Sequence, residues 1–429
     1  MSTLKVNKLR DTAGSTDAIT LDPNGGAVLA GVTTVTSVKV GAAVTISESG
    51  IEATGVGITC ANINGGQIGG RRNIIINGAM QVAQHGTSTT TAGIETVDRW
   101  KTIVSGTDEA PTFAQTTVNS SDSGDNPFAK GITKTFKVTN GNQTSGAQAS
   151  SRIEVQTNLE SANLRDSGWN YNTSADFITF SFYIKSSVAQ KFAARLQTQY
   201  GTGQRYKFNT PTLTANTWTR VVQTIPGNSA LQFDDTADNG FRVSIFAFMG
   251  TNFTNSSATE TWAANETGNR ADDMTTTWFT TNDATLEITG FQLEVGSQAT
   301  ALEHRSFAEE LLLCQRYFCK LTTHTDANSV IGMGFYYSNT EIRVPVQSFV
   351  EMRATPTVDT TNSTDHFRAY AQGSAIAFPT FTSTHMAHKK GIILGATIAN
   401  NSLQNSGSYI TSYYNASTGV GTVSLDAEL

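Results

Sequence analysis

The stretch Phe291–Phe318, FQLEVGSQATALEHRSFAEELLLCQRYF, decides how this chain is read. It begins as a strand, with Phe291, Leu293 and Val295 alternating with polar residues, the period of a sheet with one buried side. It then turns helical. Ser306 is a favourable N-cap, and Glu309 three residues later completes the signature of a capping box. Phe307, Leu311, Cys314 and Phe318 follow at spacings of three or four, which predicts one apolar helical face. A β-domain ends here, one helix intervenes, and another unit begins. The chain accordingly divides into residues 1–70, 71–305, a linking helix over 306–320, and 321–429.

Working outward, 429 residues suffice for two or three domains. Only 15% of residues are charged, well below the roughly 25% of ordinary soluble proteins. Thr, Ser, Asn and 37 glycines take their place, the mixture of a β-rich protein with tight turns and a neutral polar surface. Net charge is −6 and no Lys/Arg cluster occurs, so a nucleic-acid partner is not expected. Three cysteines, Cys60, Cys314 and Cys319, form neither a disulfide framework nor a zinc spacing. The opening MSTLKVNKLRDTAG has no apolar core, so no secretory signal is expected. No run of apolar residues is long enough to span a membrane.

Residues 1–70 hold twelve glycines and no Phe, Trp or Tyr. Their bulk comes from Val32, Val35, Val38, Val40, Val44, Ile46, Ile51, Ile58 and Ile63. Without aromatics a lone copy would be marginal, and association around a common axis is the simplest remedy. A flexible Gly/Thr linker has much the same composition; the regular recurrence of β-branched residues favours a shaft.

In residues 71–305 strands succeed one another without a repeat. FITFSFYIKSS places Ile178, Phe180, Phe182 and Ile184 on one face and Thr179, Ser181 and Tyr183 on the other. QKFAARLQTQY, TWTRVVQTIPG, FRVSIFAFMG and ATLEITGFQLEVG read likewise. The expectation is an all-β antiparallel sandwich of about eight strands, a jelly roll. Beyond the helix, VIGMGFYYS and TEIRVPVQSF suggest a hairpin, Pro356 suits a strand end, and GIILGATIA, SYITSYYNAS and VSLDAEL continue the strands.

The junction segment, together with NIIINGAMQVAQHGTS, Asp98-Arg99-Trp100, the SFYIKS and WTRVVQTIPG strands and the closing FQLEVG, resembles tail-fibre and receptor-binding proteins of tailed bacteriophages that carry a carbohydrate-binding-type jelly roll. GVTTVTSVKVGAAVTISESGIEATGVGITCANINGGQIGG resembles their slender intertwined shafts, and ATPTV with the closing DAEL their distal tip. The resemblance implies a homotrimer in a virion tail fibre, joined to other tail proteins through its N-terminal segment, with a host-facing tip that adheres to surface polysaccharide. The resemblance also brings in a structural calcium, which related jelly rolls often carry.

Candidate chemistry is sparse. No G-x-S-x-G elbow, Walker loop or H-E-x-x-H is present, so the expectation is adhesion without catalysis. A depolymerase tailspike and a structural tail adaptor are the alternatives. A depolymerase requires two carboxylates across a cleft. Sugar binding requires exposed aromatic faces among polar groups. Trp169 and Tyr171 in SGWNYNTS, Trp262 and Trp278 flanking an acidic Thr-rich loop, Tyr336 and Tyr337 in FYYS, and Tyr409, Tyr413 and Tyr414 in SYITSYYN fit that description; Trp100 and Trp218 read as core. Asp234, Asp235 and Asp238, and Asp272 with Asp273, are the candidate calcium acids. His385 and His388, with His366 or Asp365, form a weaker metal candidate.

Overall fold

The computed structural model describes residues 71–256, 259–322, 329–415, 417 and 419–429, and within the first seventy residues the backbones of six short strands. Those six form two antiparallel three-stranded meanders, Lys8–Leu9, Ile19–Leu21 and Ala27–Leu29, then Ser37–Val40, Val44–Ser47 and Gly50–Ala53. The expected winding of several chains, and Cys60, lie outside the described residues. Residues 62–429 form a compact unit of their own. Strands take 43% of the structure and helices 7%, so the fold is all-β.

Two sheets face each other in the body. One runs Thr217–Pro226, Phe177–Ser186, Thr285–Val295, Lys134–Thr139, Thr112–Thr117, with short strands at both edges. The other runs Gln204–Asn209, Ala193–Thr198, Asn239–Met249, Arg152–Glu160, Lys101–Ser105, with Trp262–Ala264 at its edge. Chain order shuttles between the sheets, which is jelly-roll wiring, with two more principal strands than expected. Ile178, Phe180, Phe182, Ile184, Phe291 and Leu293 meet Val155, Leu196, Phe208, Val243 and Ile245 in one core.

The expectation of one buried side holds for the inner face and fails for the outer. Thr179, Ser181 and Tyr183 are buried too. Tyr183 packs with Ile132, Trp218, Ala79 and Leu302, and Thr179 Oγ1 donates to the Gly296 carbonyl at 2.8 Å. The chain before the sandwich and the connector after it thus cover the sheet. Residues 73–78 run along Thr285–Val295, with Phe291 N donating to Gly78 O at 2.9 Å. A Cβ on Gly78 would meet Phe291 O at 2.1 Å, so this seam admits only glycine.

The capping box forms as expected, starting the helix Phe307–Gln315. Its burial differs from the expected stripe: Phe307 is 56% exposed, and Phe318 and Cys319 lie in the strand Phe318–Lys320. That strand pairs with Val423–Asp426, which pairs in turn with Thr357–Thr360. Of the expected face, Cys314 is buried and Leu311 packs beside it; the helix also buries Glu310, whose carboxylate accepts from Asn77 N and faces Arg305 Nη1 at 3.4 Å. A polar seam therefore fixes the linker. Cys314 and Cys319 are free, buried thiols.

Beyond the helix a second core gathers Tyr336, Ile342, Val344, Phe367, Phe378, Leu394 and Ile410. Body and tip meet through charge. Arg316 pairs with Glu160 at 2.8 Å and Tyr317 OH donates to the same carboxylate at 2.6 Å. Arg99, its guanidinium carbon 3.4 Å from the Tyr317 ring centroid, pairs with Glu428.

Two titratable groups flank this junction, Asp98 buried and His85 half-buried. Burial raises Asp98 from 3.8 to about 7, against the hydrogen bonds from Gln84. His85, stacked on Phe318 at 3.6 Å, is lowered by burial, then by Lys320, from 6.5 to about 4. Native Asp98 holds its proton more tightly than the unfolded chain, so its contribution to stability is lost as pH rises from 4 to 7. Native His85 holds its proton less tightly, so its contribution is present above pH 6.5 and lost as pH falls toward 4. The two slopes oppose. His85→Phe keeps the stacked ring and removes one of them. Between pH 4 and 6.5 the variant is expected to lose stability with rising pH more steeply than the parent, by about 1.4 kcal/mol per pH unit. Denaturant midpoints across that range measure the difference; parallel profiles would contradict the burial of a neutral His85.

Candidate functional site

The body's aromatic candidates are mostly core. Trp169, Trp262 and Trp278 are 3%, 9% and 0% exposed, which corrects the expectation that they differ from Trp100 and Trp218. Each indole has an internal reason to stay. Trp169 and Tyr171 pack at 6.1 Å, with Tyr171 edge-on to Phe233 at 4.9 Å. Trp262 Nε1 donates to Pro226 O at 2.7 Å, and Trp278 Nε1 to Thr285 O at 3.0 Å. Hydrophobic area claimed these rings because a sandwich this wide needs large side chains at its ends as well as its centre.

The acidic candidates diverge. Asp234 accepts from Thr236 Oγ1 at 2.8 Å, Asp235 lies 3.5 Å from Arg165, and Asp238 lies 3.5 Å from Arg353. Asp272 accepts from Asn209 Nδ2 and Asp273 from Thr254 Oγ1. Among the described residues no three His, Cys, Asp or Glu are disposed to hold a metal ion, and the calcium expectation has no cage. His385 and His388 lie on the strand Ser383–His388 instead of a helical turn. His385 Nε2 sits 3.1 Å from Ser383 Oγ, while His388 Nδ1 accepts from Lys390 N. His366 is buried with Nδ1 2.9 Å from Thr361 Oγ1, and Asp365 occupies a positive-φ turn position.

The second sheet's outer face carries several charged side chains. Arg195, Arg205, Lys207 and Glu154 project from it, and all are buried. The segment after Met249 folds back over them: Phe253 packs by Ala193 and Phe246, and Lys207 Nζ donates to Asn255 O, Asn269 Oδ1 and Ala271 O. This face is closed.

The tip is different. Its seven-stranded sheet runs Ser374–Phe378, Phe367–Ala371, Gly407–Ser412, Val330–Ser338, Glu341–Gln347, Gly391–Thr397, Ser383–His388. Alternation sends Tyr336, Ile342, Ala369 and Ile410 into the core and turns their neighbours outward. Tyr370 stands opposite Tyr409, and Tyr409 opposite Met333. The tyrosine rings stack at 4.7 Å and 5°, and Tyr409 and Met333 remain 44% and 72% exposed. Beside this row lies a cavity of about 400 Å³, lined among others by Gln372, Ser374 and Ser408. The hairpin tip that carries Gln372 has positive φ at Gln372 (49°) and Gly373 (79°), the geometry of a two-residue primed turn. Gln372 Nε2 donates to Ser406 Oγ at 3.2 Å, tying the turn to the neighbouring loop.

Of the other tip candidates, Tyr337 is half exposed beneath Arg343, whose guanidinium carbon is 3.5 Å from the ring centroid and whose Nε meets Glu341 at 2.8 Å. Tyr413 is half-buried under Arg368, and Tyr414 is exposed. Tyr336 is fully buried, so only one of the FYYS tyrosines faces out. Sequence reasoning missed Tyr370, Met333 and Gln372. The signal was present: AYAQGSAIAF is two alternating runs around Gln372-Gly373, a hairpin with a mechanism.

No family model and no curated protein matches the chain. Among solved structures it is similar to the enzymatically active domain of tailspike protein 4 of bacteriophage CBA120, with 9% identity over 52% of this chain and 21% of that one, TM-score 0.28. It is similar to the N-terminal cellulose-binding domain of Cellulomonas fimi β-1,4-glucanase C, with 14% identity over 51% and 99%, TM-score 0.24. A family 11 carbohydrate-binding module from Clostridium thermocellum matches at 12% identity over 51% and 98%, TM-score 0.22. The chain spans about a fifth of the tailspike structure and 26% of an arabinofuranosidase that also matches. Similarity at this level assigns neither family nor activity.

Proposed function

We infer that this chain is an adhesive subunit of a bacteriophage tail fibre, holding neutral host-surface polysaccharide by non-covalent contacts on its tip. The observation that carries the reading is the outward row Tyr370, Tyr409 and Met333 beside a cavity edged with amide and hydroxyl groups. Pyranose rings offer apolar C–H faces for such a row and hydroxyls for such an edge. The phage setting rests on the sequence motifs of the junction, body and shaft. So do the homotrimer, the attachment to other tail proteins through residues 1–70, and the location in the virion. Single contacts of this kind are weak; three tips per fibre, linked to one particle, multiply them into firm attachment. Binding without cleavage is part of the proposal.

Tyr409→Ala is expected to weaken binding of the purified chain to host envelope polysaccharide about fivefold, since a stacked aromatic contributes on the order of 1 kcal/mol. Tyr200→Ala, removing an equally exposed tyrosine on the body (49% exposed), serves as the control and leaves it unchanged. Equal binding by both variants sinks the tip assignment. Release of new reducing ends on incubation sends the reading to a depolymerase. Light scattering on the full chain and on residues 71–429 tests the trimer; monomers in both contradict it.

A further inference from the structure

The seven-stranded sheet of the tip ends in two unlike edges. At one, Ser383–His388 carries a register break between His385 and His388, and exposed Lys389 and Lys390 follow it. A bulge and lysines are the usual means of keeping an edge from pairing with another chain. At the other, Ser374–Phe378, SAIAF, pairs with Phe367–Ala371 along its whole length without a break. This strand holds no charge and no proline, and Ser374, Ala375 and Ala377 are exposed. An edge left this plain offers its backbone to a further strand.

Register determines which groups are on offer. Tyr413 N donates to His366 O at 2.8 Å. Even-numbered residues of Phe367–Ala371 therefore bond toward Gly407–Ser412, and odd-numbered ones toward Ser374–Phe378. In the edge strand Ser374, Ile376 and Phe378 bond inward, so the N–H and C=O of Ala375 and Ala377 point away from the sheet. Pro379 closes this window at one end, its carbonyl accepting from Ser363 N at 3.4 Å. The Gln372-Gly373 turn closes it at the other.

Such a window is complementary to itself. A two-fold axis through Ile376, perpendicular to the sheet, sets Ala375 opposite Ala377 of a second copy, and Ala377 opposite its Ala375. All of these positions bond outward, so each opposed pair exchanges two hydrogen bonds, and Ile376 meets its own copy at a non-hydrogen-bonded position. Donor faces acceptor throughout, and no like charges come together. A shift of one residue sets outward groups against inward ones, and a shift of two brings Pro379 or the turn opposite an alanine. Side chains agree with this register. The alanines share the outward face with Tyr370 and are small, while half-buried Ile376 packs against the tip core and would gain its own copy beside it.

We propose that the edge strand Ser374–Phe378 is a self-association site, through which the tips of two copies pair antiparallel about Ile376 into one continuous sheet. A few backbone bonds and one isoleucine pair bury much less than the roughly 1,200 Å² of a stable interface. The pairing is therefore weak between free chains and takes hold where chains are already gathered. It would set both Tyr370 strands on one face, three strand spacings or about 14 Å apart. It does not depend on what the tip binds.

Cross-linking tests the register. Ile376→Cys and Ala375→Cys are made separately in the full chain with Cys60→Ser, leaving only the buried thiols of Cys314 and Cys319 as background. Each is oxidised at high protein concentration, and covalent dimer is measured on non-reducing gels. Ile376→Cys is expected to dimerise at least tenfold faster, because residue 376 faces itself across the axis. Residue 375 lies on a diagonal of about 7–8 Å from its own copy, too far for a disulfide. Ala377→Pro removes an outward N–H that the fold does not use. Added to Ile376→Cys, it is expected to slow dimer formation at least tenfold with the melting temperature unchanged. Equal cross-linking of the two cysteine variants, or none with either, overturns the proposal, as does cross-linking undiminished by the proline. Cross-linking of Ile376→Cys to a different protein in crude lysate, with none to its own copy, assigns the edge to another occupant and overturns it too.

Discussion

Arg99→Met is expected to lower the stability of the 62–429 unit by about 3–5 kcal/mol, the usual penalty for leaving one partner of a buried ion pair alone. Arg99 is 2% exposed and reaches three parts of the molecule. Its guanidinium pairs with Glu428, lies over Tyr317, and donates through Nη2 to Asn158 O at 2.6 Å. Burial pushes the Glu428 carboxyl up, and Arg99 beside it opposes that shift. Without Arg99 the carboxyl takes up a proton or the 427–429 segment lifts from the body. The segment has other ties, Asn158 Nδ2 to Leu429 O at 2.8 Å and Arg353 Nη2 to Glu428 O at 3.1 Å, so the loss is expected as earlier melting of body and tip together. The double variant Arg99→Met/Glu428→Met separates the pair from its desolvation. It is expected to recover most of the loss, because two apolar groups of similar size need no partners. Thermal melts of the parent, both single variants and the double variant measure this. A double variant as unstable as the sum of the singles would show that the two groups act apart.

The second large effect is Phe291→Ala, expected to cost about 3–5 kcal/mol. Phe291 is fully buried, parallel to Phe182 at 5.1 Å, with Trp100 at 4.4 Å and Phe180 at 6.0 Å. Its backbone also holds the entering chain, since Phe291 N donates to Gly78 O and Phe291 O accepts from Asn73 Nδ2 at 2.9 Å. Truncation opens a void among three rings that stay fixed by their own strands, so collapse is limited. Phe291→Leu refills most of that volume and is expected to cost clearly less. Denaturant midpoints separate the two; similar losses would mean that the site repacks freely.

Local signals read well wherever the physics was local. The capping box at Ser306 and Glu309 involves four consecutive residues, and it stands as read. Period-two alternation over Phe177–Ser186 identified that strand and its core face, whereas along Thr285–Val295 the core-facing set changes parity between Ile288 and Phe291, at an irregularity in the pairing. The end of the helix was not legible. Phe318 continues the helical spacing, yet it pairs with Asp426, more than a hundred positions away. Exposure of aromatics was not legible either. Trp169, Trp262 and Trp278 have polar neighbours in sequence, but their surroundings in space are Tyr171, Tyr206 and Phe192. The same limit hid the tip row, since Tyr370 and Tyr409 belong to strands that only pairing makes adjacent.

Composition and periodicity alone pointed to an all-β chain with scarce charge and placed the strands around Phe180, Leu196, Val221, Val243 and Leu293 and the capped start of the helix Phe307–Gln315, because backbone preference and alternation act over a few residues; the strands Lys101–Ser105, Thr112–Thr117, Lys134–Thr139 and Arg152–Glu160 were not read. Tertiary structure alone decided which aromatics are buried and which form a surface, and that the outer faces of both body sheets are covered over their central strands. These are properties of strand neighbours and of loops folding back, and register between distant segments is set by the packing of the whole core.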